Sequence, residues 1–290
     1  MPLWKNYHLA QSVNDALQAL SGAPHAASLI AGGTDLLLDL QQGRHAAVDT
    51  LVDITSVPEL NCLEVREEYL FIGAAVPLNR IVANQFVLQH AQALIEACDL
   101  IGGLQVRNSA TLGGNVAHAL PAADGTIALL ALNSLAEIAS LEGQRIIDLR
   151  ALFLGPGRSA LDKGREILVG FHLPLRNMDE ASSFKRVMRP QGVALPIINM
   201  AIWLKRLGEV IADIRIALGP AGPVPKRALA AEKSMAGQPM NDNTLRIGLK
   251  VLQAESTFRT SPHRSSADYR QHLSGILLEE TLQEAWQRAE

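Results

Sequence analysis

Two short glycine-containing segments carry the residue types best suited to holding an anionic ligand. Residues 31–36 read AGGTDL and residues 109–118 read SATLGGNVAH, so each segment has two adjacent glycines followed by a small polar side chain. Because glycine lacks a Cβ atom, a bulky anion can lie directly on the peptide N–H groups. The segments are about eighty residues apart in the sequence, and together they could hold the two ends of one long cofactor.

The first glycine segment is expected to join a buried strand to a short helix. The apolar residues 27–31 predict the strand, and residues 36–42 predict the helix, which Thr34 or Asp35 can cap and Gly43 can end. A helix start adds free N–H groups and partial positive charge, which favour a diphosphate. Taken alone, the segment is equally an ordinary turn, and Asp35 suits a cap or a position facing away from an anion.

The second glycine segment has a flexible entry at Gly102 and Gly103 and runs on to Asp124. Arg107, within this entry, could face a phosphate, although a solvated or structural role is favoured. His118 is interpreted as structural. The histidines lack zinc-site spacing, no Gly-x-Ser-x-Gly or Gly-x-Gly-x-x-Gly motif is present, and no catalytic triad can be assigned. Such a chain predicts that a bound cofactor supplies the chemistry, for example redox through a flavin.

Apolar periodicity predicts the elements that must place these two segments. Helical spacing within residues 7–20 predicts an amphipathic helix with Ser12 or Asn14 near its start, ended by residues 21–24. The further elements predicted up to residue 176 are a strand at 48–54, a hairpin of 63–66 and 69–74, helices at 77–83, 87–97 and 126–135, a strand pair at 135–141 and 145–149, and a strand at 166–174. They form two small α/β units, the second beginning near residue 58.

A polar segment at residues 176–181 predicts a domain boundary. Beyond it, three strands are predicted at 182–188, 197–204 and 210–218, followed by helices at 226–235, 245–254 and within 265–289. Strands followed by helices are typical of an α+β domain.

The composition of the 290 residues excludes several classes of protein. The net charge of −3 and the lack of a basic run give no support for nucleic-acid binding. No apolar run approaches the roughly 18 residues of a membrane span, and the N-terminus does not resemble a signal peptide, so a cytoplasmic protein is expected. Two cysteines, Cys62 and Cys98, are too few for an iron–sulfur cluster. The mean hydropathy of +0.12 fits either an alanine-rich composition or a large face buried against partner subunits.

Residues 31–36, together with residues 111–115 and Asp124, resemble the FAD-binding medium subunit of the molybdenum hydroxylases, the family of xanthine dehydrogenase and carbon monoxide dehydrogenase. The segments SFKR at 183–186 and RSSADYR at 264–270 also match family patterns, and the resemblance covers nearly the whole chain. It implies an α+β fold with an FAD-binding domain of the p-cresol methylhydroxylase type at residues 1–176, with subdomains 1–57 and 58–176. A C-terminal flavoprotein domain at 177–290, a three-stranded antiparallel sheet with helices, would follow.

The resemblance also implies cofactor-binding roles, and no catalytic or metal-binding residue in this chain. Around the pyrophosphate it places Leu29, Ile30, Ala31, Gly32, Gly33, Thr34, Asp35 and Leu36, and in a second FAD loop Thr111, Leu112, Gly113, Gly114 and Asn115. Ile101 would line the flavin site, Asp124 would accept hydrogen bonds from FAD hydroxyls, and Leu168 would pack on the isoalloxazine. Lys185 would lie at the pyrimidine edge, where a cation stabilises reduced flavin; without the resemblance, it would be interpreted as a solvated lysine.

The function implied is that of an electron-transfer subunit. Electrons would come from a molybdopterin large subunit through a [2Fe–2S] small subunit, both on separate chains, and FAD would pass them to NAD⁺, a quinone or oxygen. Two alternatives are a non-redox nucleotide-binding or assembly module that retains the fold, and a free-standing flavin reductase that turns over NAD(P)H without partners.

Overall fold

The computed structural model describes residues 2–22, 26–189 and 195–289. Its first sheet has three parallel strands in the order β1-β3-β2. The elements of this part are β1 (Trp4–Leu9), α1 (Val13–Ser21), β2 (Ala27–Ile30), α2 (Leu36–Gln41) and β3 (Val48–Asp53).

The predicted helix start near Ser12 is confirmed, but residues 7–9, at the beginning of the range with helical spacing, are not helical. Residues up to Leu9 pair with β3 as a parallel edge strand, and the helix begins at Val13, where the Ser12 side chain accepts a hydrogen bond from the Asp15 N–H. Within residues 7–20, the residues that lie in the core are Ala10, just before the helix, and Val13, Ala16, Leu17 and Leu20 on it. The predicted end of this helix includes residues 23 and 24, which lie outside the described residues.

The second sheet is antiparallel, in the order β4-β5-β10-β6-β7, and β8 and β9 form a separate two-stranded sheet. The strands of these two sheets are β4 (Leu63–Arg66), β5 (Tyr69–Gly73), β6 (Leu135–Ser140), β7 (Gly143–Asp148), β8 (Phe153–Gly155), β9 (Arg158–Ser159) and β10 (Ile167–Pro174). Between β5 and β6 lie α3 (Leu78–Val82), α4 (Gln85–His90), α5 (Gln92–Asp99), α6 (Leu104–Ser109), α7 (Leu112–Ala117) and α8 (Asp124–Ala131).

Two predicted helices in this part have different bounds. The helix predicted at 87–97 is two helices, because the chain leaves helical geometry at Ala91. The helix predicted at 126–135 starts earlier and ends at Ala131, because Asn133 adopts a positive φ of 54° and turns the chain into β6.

The third sheet contains the three long antiparallel strands that the sequence predicts, with two short strands added at its edge. The elements are β11 (Glu180–Val187), β12 (Ile198–Leu207), β13 (Val210–Gly219), β14 (Lys226–Arg227), α9 (Leu229–Met235), β15 (Gln238–Pro239), α10 (Asp242–Glu255) and α11 (Ala267–Arg288). None of the helices in the described residues combines the length and apolar composition that crossing a bilayer requires.

The third sheet lies between two helical layers. Phe184, Ala201 and Trp203 on one face join the core that α5 and α8 build, whereas Met200 and Ile202 on the other face pack with α11. At the edge of β11, the Phe184 N–H donates to the Glu96 carboxylate on α5, at 2.7 Å. The C-terminal sheet is thereby fixed to the part of the chain that carries the second glycine segment. The predicted division at residues 57/58 and 176/177 stays a prediction.

Candidate cofactor site

The two glycine segments are in direct contact. A Cβ atom built on Gly32 would lie 2.0 Å from the Ser109 carbonyl oxygen and 2.8 Å from the Ala110 Cα, which no side chain tolerates. Glycine at position 32 therefore allows the backbone of the first segment to lie against the start of the second. Segments far apart in the sequence form one continuous surface.

The first segment offers a row of backbone donors. Among the hydrogen bonds of the described residues, none is donated by the N–H groups of residues 32–36. Gly33 has a φ of +66°, a left-handed conformation that favours glycine, and its carbonyl oxygen accepts the first bond of α2 from Leu37 at 3.0 Å. Successive unpaired N–H groups in such a turn form a concave anion-binding surface. The segment fits a diphosphate.

Most N–H groups of the second segment, in contrast, are already engaged. The N–H of Leu112 donates to the Val76 carbonyl at 3.3 Å, and that of Gly113 donates to the Ala74 carbonyl at 2.9 Å. Gly114 donates to the Thr111 hydroxyl at 3.1 Å, which caps α7. The expectation that both segments offer free N–H groups therefore fits the first segment better. Of residues 111–115, only the Thr111 N–H donates none of the hydrogen bonds of the described residues. What the second offers is the exposed surface at Gly114, where only the Thr111 hydroxyl lies near an added Cβ, at 3.2 Å.

Asn115 connects the second segment to α8. Its Oδ1 accepts hydrogen bonds from the Thr126 N–H at 3.1 Å and from the Thr126 hydroxyl at 3.3 Å. These bonds satisfy a donor in the first turn of α8, as a capping residue does. Because Gly125 has no Cβ, Asn115 can lie against it: an added Cβ would be 2.9 Å from the Asn115 Oδ1.

Asp35 contacts the second segment instead of capping α2. It occupies the N-cap position but makes no side-chain capping hydrogen bond. Its Oδ2 lies 3.4 Å from Nδ1 of His118, the residue that ends α7. The interaction with His118 lowers the pKa of Asp35, and the interaction with Asp35 raises the pKa of His118. Asp35 therefore has the predicted N-cap position without the side-chain hydrogen bond of a cap, and its predicted orientation away from an anion stays a prediction.

Asp124 is buried between α8 and the C-terminal sheet, with 4% of its surface exposed. Its Oδ2 lies 2.5 Å from Nη1 of Arg186, and its Oδ1 accepts from Nδ2 of Asn199 at 2.5 Å. Burial raises the pKa of Asp124, while Arg186 and Asn199 oppose the shift. A hydroxyl donating to this carboxylate would share it with both side chains, so the predicted contact with FAD stays a prediction.

The remaining predicted residues lie on several different parts of the fold. Leu29 and Ile30 belong to β2, which leads into the first segment, and Leu36 begins α2. Ile101 is half-buried beside the main core, and Leu168 is buried within it. Lys185 pairs with Glu284 of α11 at 2.6 Å, so the structure places it on the face of the sheet opposite Arg186. Its predicted place beside the flavin stays a prediction.

Sequence reasoning assigned no cofactor-binding role to four residues that contribute contacts in this region: Ser109, His118, Arg186 and Asn199. A signal existed for Arg186, because neighbouring residues of a strand point to opposite faces. In the motif SFKR, the side chain of either Lys185 or Arg186 therefore had to point toward the FAD-binding part. Arg107 has the structural role that was favoured: it donates to the Gly102 carbonyl at 3.0 Å and pairs with Asp99 at 3.2 Å.

Two family models cover the chain. Residues 4–176 match the FAD binding domain in molybdopterin dehydrogenase, and residues 182–285 match the CO dehydrogenase flavoprotein C-terminal domain. The chain belongs to the FAD-binding subunits of the molybdenum hydroxylases. It is accordingly an FAD-dependent oxidoreductase subunit, and the predicted family, fold class and cofactor are confirmed.

Relatives align with this subunit over nearly their whole length. The putative xanthine dehydrogenase FAD-binding subunit of Escherichia coli K12 is 32% identical, over 97% of this chain and 95% of the relative. The glyceraldehyde dehydrogenase medium chain of Sulfolobus acidocaldarius is also 32% identical, over 94% of this chain and 95% of the relative. A chain of the carbon monoxide dehydrogenase structure from Hydrogenophaga pseudoflava superimposes with a TM-score of 0.93, at 26% identity and 99% coverage of each chain.

Proposed function

We propose that this chain is the electron-transfer subunit of a molybdopterin-dependent hydroxylase or dehydrogenase, with FAD bound where the two glycine segments meet. When bound, FAD supplies a redox centre able to exchange single electrons with an iron–sulfur cluster and electron pairs with an acceptor. The role of this chain is to bind and orient that centre.

The observation that carries the proposal is the junction of the two segments. Gly32 lies against Ser109 and Ala110, and the row of unpaired N–H groups at residues 32–36 lies beside this contact. A diphosphate on that row gains several charge-assisted hydrogen bonds without any side-chain rearrangement. The exposed surface of Gly114 leaves room for the rest of a long cofactor.

The proposed partners are a [2Fe–2S] small subunit and a molybdopterin large subunit on separate chains. In support, two relatives carry the names glyceraldehyde dehydrogenase medium chain and carbon monoxide dehydrogenase medium chain, words that describe one chain of several. The described residues contain no group of three or more His, Cys, Asp or Glu side chains that could hold a metal ion. We further propose a cytoplasmic location, and NAD⁺ or a quinone as the electron acceptor.

Substitution of Gly33 tests where FAD binds. Gly33→Ala puts a Cβ on a residue with a φ of +66°, 3.0–3.1 Å from Ile30 and Leu37 side-chain atoms, so we expect the N–H row to distort and FAD to bind at least tenfold more weakly. Flavin absorbance of the full-length chain after addition of FAD measures this. The matched control is Gly208→Ala, at a φ of +59° with no atom near the added Cβ, which should keep wild-type binding.

Purification from the native source tests the partners. We expect the chain to copurify with molybdenum and with iron in chains other than its own, measured by elemental analysis after the subunits are separated. A colourless full-length chain that rejects added FAD would support a non-redox nucleotide-binding or assembly module instead. Rapid NAD(P)H oxidation by the isolated flavoprotein would support a free-standing flavin reductase.

A further inference from the structure

An acidic side chain lies within the row of donors proposed to hold the diphosphate. Asp35 is one of the five residues whose N–H groups are unpaired, and its carboxylate is 67% exposed. A carboxylate beside a diphosphate repels it, and this repulsion weakens binding unless the charge is offset or directed away. For a diphosphate to bind here, the negative charge of Asp35 must therefore be offset or directed away from it.

The group that meets this carboxylate comes from the other glycine segment. Nδ1 of His118 lies 3.4 Å from Oδ2 of Asp35, and the His118 side chain is 37% exposed. His118 follows the last residue of α7, so its position depends on the second segment, while Asp35 directly precedes α2, the helix after the first segment. The contact links the two segments at the side of the junction.

We propose that His118 is a positioning residue of the FAD site, which holds the Asp35 carboxylate away from the diphosphate and offsets its charge when the imidazole is protonated. This inference rests on the proposed placement of the diphosphate at residues 32–36. His118 gives the chain a cofactor affinity that depends on pH, whereas the N–H groups themselves do not titrate.

The direction of the pH dependence follows from the charges near His118. Its interaction with Asp35 raises the pKa of His118 above the ordinary value of about 6.5, Asp39 on α2 acts in the same direction, and Lys163 opposes it. Arg44 is paired with Asp39 at 3.0 Å and also helps to keep Asp35 ionised. As the pH rises through the pKa of His118, the imidazolium is lost and Asp35 remains charged. FAD should therefore bind more weakly at high pH.

Fluorescence titration of the full-length chain with FAD, between pH 6 and pH 9, tests the inference. For the wild-type chain we expect the Kd to rise about three- to tenfold over this range, the size expected of one charge acting between partly exposed groups. His118→Gln should bind FAD at all pH values as weakly as the wild type does at pH 9. His118→Lys, which keeps its charge throughout, should bind as tightly as the wild type at pH 6 and lose the pH dependence.

Two further variants separate this role from a merely structural one. Asp35→Asn removes the charge to be offset, so it should bind FAD at pH 9 more tightly than the wild type does at that pH. The matched control is His8→Gln, because His8 makes a similar contact with Asp15, at 3.0 Å, outside both glycine segments. This variant should keep the wild-type pH profile of the Kd.

The possible failures are distinguishable. If His118→Gln keeps the wild-type slope of Kd against pH, or if His118→Lys fails to restore tight binding, the role of His118 is overturned. If Gly33→Ala binds FAD as the wild type does while circular dichroism shows both proteins folded, the placement of the diphosphate is overturned instead.

Discussion

Gly32 shows how one missing Cβ determines whether the two glycine segments can meet. Gly32→Ala would force the Ser109 carbonyl away, and because backbone atoms cannot rotate aside, we expect a loss of about 1–3 kcal/mol in the free energy of unfolding. We also expect FAD to bind at least tenfold more weakly. Urea denaturation and flavin titration measure the two effects. Gly22→Ala, whose Cβ would meet its neighbours at an ordinary 3.5 Å, is the control and should change neither.

At the residue scale, the sequence predicts which residues form the junction but not which N–H groups are free. The glycine pairs and the small polar residues after them are visible in the sequence. The acceptors that engage the second segment are carbonyl oxygens of Ala74 and Val76, which follow β5 and reach Gly113 and Leu112 only in the folded chain. The contact between Asp35 and His118 likewise depends on how α2 and α7 lie relative to each other in the folded chain, so the sequence around either residue does not predict it.

At the element scale, Asn115 makes the start of α8 depend on the second glycine segment. Asn115→Ala removes the acceptor for the Thr126 N–H, and loss of such a cap costs about 0.5–2 kcal/mol. Because the cap also holds residues 111–115 in place, we expect FAD to bind more weakly as well. Thermal unfolding and flavin titration of the full-length chain check both expectations.

A second helix cap provides the matched control for Asn115. Asn241 caps α10 by accepting from the Thr244 N–H at 3.0 Å, in a helix that contains none of the predicted cofactor residues. Asn241→Ala should cost a similar free energy of unfolding and leave the Kd for FAD unchanged. Equal weakening of FAD binding by the two variants would show that Asn115 acts only through general stability.

Elements with strong periodicity could be predicted, whereas those defined by their partners could not. The hairpin β4–β5, the strands β11–β13 and the terminal helix α11 are predicted within a few residues. The missed strand β1 is a short polar edge strand whose parallel partner, β3, begins 44 positions later, at Val48 opposite Trp4. In the sequence, β1 is indicated only by a weak alternation of polar and apolar residues. The helical spacing of Val13, Leu17 and Leu20, which follows directly, favoured a helix instead.

At the scale of the whole molecule, one buried ion pair joins the FAD-binding part to the C-terminal sheet. Asp124 and Arg186 are 4% and 5% exposed in their side chains, and Asn199 completes the group. The sequence predicts both domains, but it does not say which face of β11 meets α8. Arg186 lies on the face of β11 that meets α8, and Lys185 lies on the opposite face, so Arg186 is the cation that pairs with Asp124.

Removing one partner of this pair should destabilise the whole chain in a pH-dependent way. Arg186→Met leaves the Asp124 carboxylate buried without its cation, which costs about 3–5 kcal/mol at pH 8 by urea denaturation. In this variant, burial raises the pKa of Asp124 in the folded state above its unfolded value. The variant is therefore most stable at low pH, and it loses stability as the pH rises through the pKa of the folded state. The loss in the free energy of unfolding should therefore be smaller at pH 5 than at pH 8.

The control is Arg145→Met, which breaks the more exposed pair with Glu166 and should cost less than about 1 kcal/mol at both pH values. An equal, pH-independent loss in the two variants would contradict a charged pair at the centre of the domain interface.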